Sequence, residues 1–230
     1  MDIRTTFFGD ASNFFGPPTG DALLSAGLAN AVDANALIVA SLQRDLDRLN
    51  GYRVDLPPSQ KEELASLQDQ IGRINERVRP DGTLSTSDAD ERAKLYRDAY
   101  KILGKDYVEV KSDKALSELM EKVDKLLEPR LQGEQKARLE RLRALEASQL
   151  ASFEPGKTSA SSINYIRNIQ AQIRELTPPR KMNQLSVTEK ADYNRLVNQI
   201  NTKAGTDLLL NSVDREKAEK IQETINQFGG

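Results

Sequence analysis

The chain has 230 residues and a formal net charge of −2, from 33 Lys and Arg against 35 Asp and Glu, and it contains no Cys, His or Trp. Without Cys and His it has no thiolate nucleophile, no disulfide, no imidazole base and none of the usual zinc ligands. Its 38% hydrophobic and 30% charged residues favour helical bundles over a compact enzyme, and its balanced charge offers no basic excess for nucleic acid. We therefore predict a protein that is not an enzyme, with no catalytic residues, no cofactor and no metal.

Residues 1–19 contain four of the six Phe residues, in two pairs separated and followed by Gly, Asn and Pro. No helical or strand period is present, and there is no apolar stretch of the kind found in secretory signals. We expect synthesis in the cytoplasm without a signal peptide, with a virion or an exported assembly as the final location. Two interpretations of the aromatic pairs stay open, because they could pack on this chain's own core or anchor an extended arm to a neighbouring subunit. The predicted partner-binding residues of the arm are Phe7, Phe8, Phe14 and Phe15.

Residues 20–50 are predicted to form a helix that stops at Asn50-Gly51. Its first part, Ala22 to Leu42, carries one charge and is about long enough to span a bilayer. That charge, Asp33, costs about 2.5–3.5 kcal/mol near the centre of an inserted helix. We favour a buried bundle helix, and membrane insertion through 20–43 remains the alternative.

The rest of the chain contains an internal similarity. At a shift of 101 residues, Leu84–Asp88 aligns with Leu185–Glu189 and Gly104 aligns with Gly205. At a shift of 102, the segment LQDQI that begins at Leu67 aligns with a matching IQAQI. The alternative is chance similarity between amphipathic helices. The agreement in loop residues favours duplication, best matched over 60–128 and 162–229.

Each predicted unit has recognisable helix starts. Ser59 with Glu62, and Ser186 with Glu189, have the spacing of a capping box. The first of these helices is predicted to run to about Arg79. The other predicted helices span 87–104, 112–127, 132–153, 161–176, 187–203 and 212–227, with a brief extended connection at 107–110.

One loop carries a candidate metal motif. Asp81 to Asp88 resembles the second half of an EF-hand or dockerin calcium loop, but Arg77 and Arg79 occupy the positions of the opening ligands and would repel Ca²⁺. We predict a turn followed by a helix N-cap, with Asp88, Asp90 and Glu91 complementing the helix dipole.

Three tyrosines could suggest a stacking surface. Without a basic excess around them we predict that they belong to the core or to an interface: Tyr96, Tyr100 and Tyr107.

Together these features predict an all-α protein with an extended arm at 1–19 and two related helical-bundle modules at 20–128 and 129–230. The expected role is a non-enzymatic structural subunit of a larger complex, such as a bacteriophage virion or a secreted bacterial machine. Its expected partners are other protein subunits in a homo- or hetero-oligomeric assembly, without nucleic acid. Two alternatives remain: a soluble adaptor that binds partner helices, and a membrane-active ejection or translocation protein that uses 20–43.

Overall fold

The computed structural model describes residues 34–154 and 157–228, and within these ranges the chain forms α-helices and 3₁₀ turns without a β-strand. The all-α prediction is therefore confirmed for the described residues. The helices are α1 (Ala34–Leu49), α2 (Pro58–Asn75), α3 (Thr86–Ile102), α4 (Lys114–Leu127), α5 (Gly133–Ala151), α6 (Ala160–Leu176), α7 (Val187–Ala204) and α8 (Ser212–Phe228). Two 3₁₀ turns lie at Val110–Ser112 and Met182–Gln184.

Two serines 101 residues apart begin α3 and α7. Ser85 Oγ accepts a hydrogen bond from the Asp88 amide at 3.1 Å, and Ser186 Oγ accepts one from the Glu189 amide at 3.2 Å. The Glu189 carboxylate also accepts from the Ser186 amide at 2.9 Å, so the predicted capping box at α7 is confirmed. These bonds satisfy amide groups that a helix start otherwise leaves unpaired.

Both of these helices are followed by a glycine in the left-handed region. Gly104 has φ +76° and Gly205 has φ +70°, a conformation that glycine adopts without the steric cost of a Cβ. The chain can therefore turn sharply after each helix, as the sequence predicted.

The predicted limits of α2 were wrong at both ends. Pro57 is its N-cap residue and Pro58 its first residue, and no side chain caps it, so Ser59 and Glu62 do not form a capping box. A proline in the first turn has no amide hydrogen to be capped. The helix ends at Asn75 instead of near Arg79, and the next amides, of Arg77 and Val78, donate to carbonyls three residues earlier at 3.0 and 3.1 Å.

The predicted extended connection at 107–110 lies between two helices and forms no strand. Glu109 has extended backbone, and Val110 begins a 3₁₀ turn that Asp113 follows. The Asp113 carboxylate then caps α4 by accepting from the Leu116 amide at 3.0 Å.

The largest hydrophobic core lies between α4 and α7. Four buried residues of α4 recur at helical spacing, which places them on one face: Leu116, Met120, Val123 and Leu127. They share a cluster with side chains of α7 and of the preceding turn: Met182, Leu185, Tyr193, Leu196, Val197 and Ile200. This core therefore includes residues from both sides of the predicted module boundary at 128/129.

Two smaller clusters complete the core. Leu67, Ile71 and Ile74 of α2 pack with Leu95 and Ala99 of α3. Leu139 of α5 packs with Ile169 and Ile173 of α6. Each helix pair thus buries its own apolar faces.

The first and last described helices, α1 and α8, also pack against each other. Unlike α4 and α7, these two helices have few buried side chains. No described side chain of α1 is fully buried, and Ser212 is the one buried residue of α8. This pair therefore leaves apolar surface that the rest of the described chain does not cover.

Candidate interaction surface

The calcium-like loop does not present free carboxylates. Asp81 Oδ1 accepts from the Thr83 amide at 2.9 Å and from the Thr83 hydroxyl at 2.7 Å. Asp88 forms an ion pair with Arg77 at 2.9 Å and accepts from the Ser85 hydroxyl at 2.7 Å. These hydrogen bonds hold the pKa of both aspartates below the usual range. The loop is a turn followed by an N-cap, as predicted, with its acids used within the chain.

The acids that the sequence places together do not gather into a metal-binding group. Across 34–154 and 157–228, no group of three or more acidic side chains is arranged to hold a metal ion.

The predicted stacking tyrosines lie together, joined by Tyr52, which the sequence analysis did not single out. The Tyr96 and Tyr107 rings stack with their centroids 5.5 Å apart, and the Tyr100 ring meets the Tyr107 ring edge to face at 5.4 Å. The Tyr52 ring meets Tyr100 edge to face at 6.0 Å. Since these rings contact one another, they form an aromatic cluster at the end of α3, in which Tyr52 is buried and the other three rings are half-buried.

A lysine fixes the end of α1 to this aromatic cluster. Lys105 Nζ donates to the Asn50 carbonyl at 2.7 Å and lies 5.1 Å from the centroid of the Tyr52 ring. Burial lowers the pKa of Lys105, and the negative charge of Asp207 partly opposes this effect. The chain just after α1 therefore lies beside the loop that precedes α8.

The beginning of α8 is held by polar contacts to α7. Asn194 donates to the Ser212 hydroxyl at 3.0 Å and accepts from the Ser212 amide at 2.8 Å. One turn further on, the Arg215 guanidinium donates to the Tyr193 hydroxyl at 3.3 Å and to Glu219 at 3.1 Å. Glu219 in turn accepts from the Met182 amide at 2.9 Å. The first turns of α8 are thus attached to the main core.

Asp124 of α4 is the least satisfied acid beside these contacts. Its Oδ1 atom is buried and receives no hydrogen bond from the described residues. Burial raises the pKa of Asp124 to about 6, and the neighbouring Glu128 and Glu121 add to this effect while Arg215 of α8 opposes it. The Asp124 carboxyl therefore holds its proton at a higher pH than an exposed aspartate does.

Glu189 has a lowered pKa, in contrast to Asp124. The Arg180 guanidinium donates to Glu189 at 2.7 Å and Arg130 donates to the same carboxylate at 2.7 Å. Hydrogen bonds from Arg180 and from Ser186 lower the pKa of Glu189 far below its usual range. Glu189 therefore links the turn before α7 to the segment between α4 and α5.

Both helices of the α1–α8 pair carry exposed large apolar side chains, including Val213 at the start of α8, which is 61% exposed. Leu37 is 56% exposed, Ile38 is 39% exposed and Phe228 is 39% exposed. We call these three residues the apolar end. No charged residue occurs in the sequence from Ala34 to Gln43, so the α1 part of this surface is also uncharged.

The apolar end contains residues of two helices, α1 and α8, that pack against each other. Lys105, which donates to the Asn50 carbonyl just after α1, also interacts with Asp207 in the loop before α8.

The predicted arm residues Phe7, Phe8, Phe14 and Phe15 lie outside the described residues, as does the segment 20–33 of the predicted apolar helix. In the part of the chain that is described, no helix is both long and apolar enough to cross a membrane. Leu37 and Ile38 were not predicted to be exposed, because they lie within the apolar stretch assigned to a buried helix. The absence of charged residues from Ala34 to Gln43 indicates an apolar helix surface, but it does not distinguish a buried surface from an exposed one.

Comparison of the chain with protein-family models, with curated proteins and with solved structures finds no match.

Proposed function

We propose that the chain is a non-enzymatic structural subunit of a larger protein assembly, of the kind that builds phage particles or secreted bacterial machines. In this role it binds neighbouring subunits through the aromatic arm and through exposed helix faces. The observation that carries the proposal is the apolar end of the α1–α8 pair, where Leu37, Ile38 and Phe228 stay exposed. Exposed apolar patches on a folded chain mark contacts with other molecules.

The position of this surface supports the same role. Residues 1–33 lead directly into α1, and they contain four Phe and only the charges Asp2, Arg4, Asp10, Asp21 and Asp33. The aromatic arm and the apolar end are thus adjacent in the chain. Together they supply large apolar anchors, which dominate the binding energy of protein interfaces.

We also propose that the two helical modules arose by duplication. The paired caps Ser85 and Ser186, and the paired glycines Gly104 and Gly205, support it because each pair has the same role and the same spacing. The pairing of α4 with α7 joins a helix of one module to a helix of the other, so the modules form a common scaffold.

Sedimentation velocity of the full chain over a range of concentrations tests the assembly role. The matched variant replaces Phe7, Phe8, Phe14 and Phe15 with serine and leaves residues 34–228 unchanged. We expect the wild-type chain to form species larger than two copies and the variant to lose them. A wild-type chain that never exceeds two copies would support the adaptor alternative, and equal distributions for both chains would contradict the role of the arm.

A further inference from the structure

Asn50 and Gly51, which directly follow α1, are the only Asn-Gly pair of the sequence. Asparagine before glycine is prone to lose its side-chain amide, because glycine has no Cβ to hinder the approach of its backbone nitrogen. The Gly51 nitrogen attacks Cγ of Asn50, and the Cγ–Nδ2 bond breaks. The proton of the attacking nitrogen leaves with Nδ2 as ammonia, and a succinimide ring remains. Water then opens the ring at either carbonyl and leaves an aspartyl or an isoaspartyl residue, so water is the only other reactant.

In the folded chain both reacting groups of this pair are engaged elsewhere. Asn50 Nδ2 donates to the Leu46 carbonyl at 2.9 Å, and the Gly51 amide donates to the Arg48 carbonyl at 3.0 Å. Asn50 is also only 7% exposed. The ring therefore closes only when the end of α1 opens and frees both groups.

Contacts with the chain that follows α3 hold the end of α1 closed. Lys105 Nζ donates to the Asn50 carbonyl at 2.7 Å. Two residues beyond Gly51, the Arg53 amide donates to the Leu103 carbonyl at 2.9 Å. An opening that frees the Gly51 amide therefore works against these contacts, and its free energy sets how often the reactive conformation is populated.

We propose that Asn50 is a site of spontaneous deamidation that the native end of α1 suppresses, so that opening of this end leads to an irreversible covalent change. The product cannot restore the native contacts. An ionised carboxylate has no hydrogen to donate to the Leu46 carbonyl, and a negative charge is unfavourable at the C-terminal end of a helix. The isoaspartyl form also lengthens the backbone by one methylene group beside Gly51. Deamidated chains therefore hold α1 less firmly than the original chain does.

Hydrogen exchange and deamidation test the proposal together, because both need the Gly51 amide to be free. The full chain is incubated in native buffer and in guanidinium chloride. Peptide mass spectrometry follows the loss of the Asn50 amide, and NMR follows exchange at Gly51. We expect deamidation to be slower in native buffer by the same factor that protects the Gly51 amide from exchange, about tenfold or more. Equal deamidation rates in the two solvents would overturn the proposal.

Lys105→Met tests whether the contacts of α1 control the rate. The variant removes the donor to the Asn50 carbonyl and keeps an apolar chain beside the Tyr52 ring. Loss of a hydrogen bond from a charged group raises the opened fraction by about tenfold, so native deamidation should accelerate by about that factor. The matched control, Lys136→Met on the exposed face of α5, should keep the wild-type rate. An unchanged rate in Lys105→Met, with wild-type circular dichroism, would overturn control by this contact.

Asp81→Asn provides an internal reference that does not depend on the Lys105 variant, because it creates a second Asn-Gly pair in an exposed turn. Gly82 has φ +79° and Gly51 has φ +76°, and each amide donates to a carbonyl three residues earlier. The two sites thus share local backbone and differ in burial. In guanidinium chloride they should deamidate at similar rates, whereas in native buffer position 81 should react about tenfold faster or more. Similar native rates at the two sites would overturn the proposed protection.

Asn50→Asp installs the aspartyl product and tests its consequence. We expect a lower urea midpoint than that of the wild type, measured by circular dichroism at pH 7. An unchanged midpoint would contradict the weaker hold on α1.

Discussion

Tyr193 joins the main core to the start of α8, and replacing it with phenylalanine tests that connection. The side chain is fully buried, and its hydroxyl donates to the Leu210 carbonyl at 3.0 Å and accepts from Arg215 at 3.3 Å. Tyr193→Phe keeps the ring, which lies 5.6 Å from the Arg215 guanidinium carbon, and removes both hydrogen bonds. The variant therefore isolates the contribution of the hydroxyl.

The expected loss of stability follows from the two groups that lose the hydroxyl as a hydrogen-bond partner, the Leu210 carbonyl and the Arg215 guanidinium. An unsatisfied buried partner costs about 1–3 kcal/mol. Arg215 keeps its bond to Glu219 at 3.1 Å, so we place the loss at the lower end, about 1–2 kcal/mol. For a chain of this size that corresponds to a fall of roughly 2–8 °C in Tm.

Urea unfolding followed by circular dichroism measures this loss as a shift in midpoint at unchanged slope. Tyr165→Phe is the matched control, because Tyr165 is 48% exposed and the same atom is removed. We expect the control to remain within about 0.5 kcal/mol of the wild type. If Tyr193→Phe also remains within that range, the hydroxyl does not hold α8 to the core and the reasoning fails.

Three further predictions concern helix caps and acids. Ser186→Ala and Ser85→Ala should each lower the free energy of unfolding by about 0.5–2 kcal/mol, measured by urea midpoints, and no loss would contradict the capping role. Glu189→Gln should destabilise the chain at pH 7, and because the folded-state pKa of Glu189 is lowered, the wild-type advantage should shrink as the pH falls below about 4.5. In contrast to Glu189→Gln, Asp124→Asn should stabilise the chain near neutral pH. The raised pKa means that the wild type loses stability as the pH rises from about 4 to about 6, so the variant should be more stable at pH 7.5 and equal at pH 4. The full pKa difference corresponds to about 3 kcal/mol, and partial exposure of the carboxyl reduces the expected gain to about 1 kcal/mol. Melting curves at both pH values measure it, and an equal gain at pH 4 would contradict the titration.

Local features of the fold could be predicted from the sequence, because they depend on few residues. Ser186 followed by Glu189 marked the start of α7, and Gly104 and Gly205 marked the ends of α3 and α7. The start of α3 was predicted at residue 87, whereas its N-cap is Ser85. The same reasoning was wrong at Ser59 and Glu62, where Pro57-Pro58 had already set the helix start. The prolines restrict the backbone dihedral angles at that point, so they set the helix start and the serine–glutamate pair does not.

The pairing of helices could not be predicted in the same way. Any two amphipathic helices present similar apolar stripes, so the spacing on α4 does not identify α7 as its partner. The packing of α1 on α8 joins the first and last helices of the described chain. The exposure of Leu37 and Ile38 could not be inferred from an apolar sequence that is equally typical of a buried helix.

The most direct test of the proposed assembly role is a distance measurement between copies at Leu37. Because the natural chain has no cysteine, Leu37→Cys provides a single site for a nitroxide spin label, and Val187→Cys provides the matched control site. The proposed role predicts dipolar coupling between labels on different copies for position 37, which is lost on dilution with unlabelled chain, and longer or broader distances for position 187. The absence of any dipolar coupling between labels at position 37, at concentrations where the chain is at least dimeric, would contradict it.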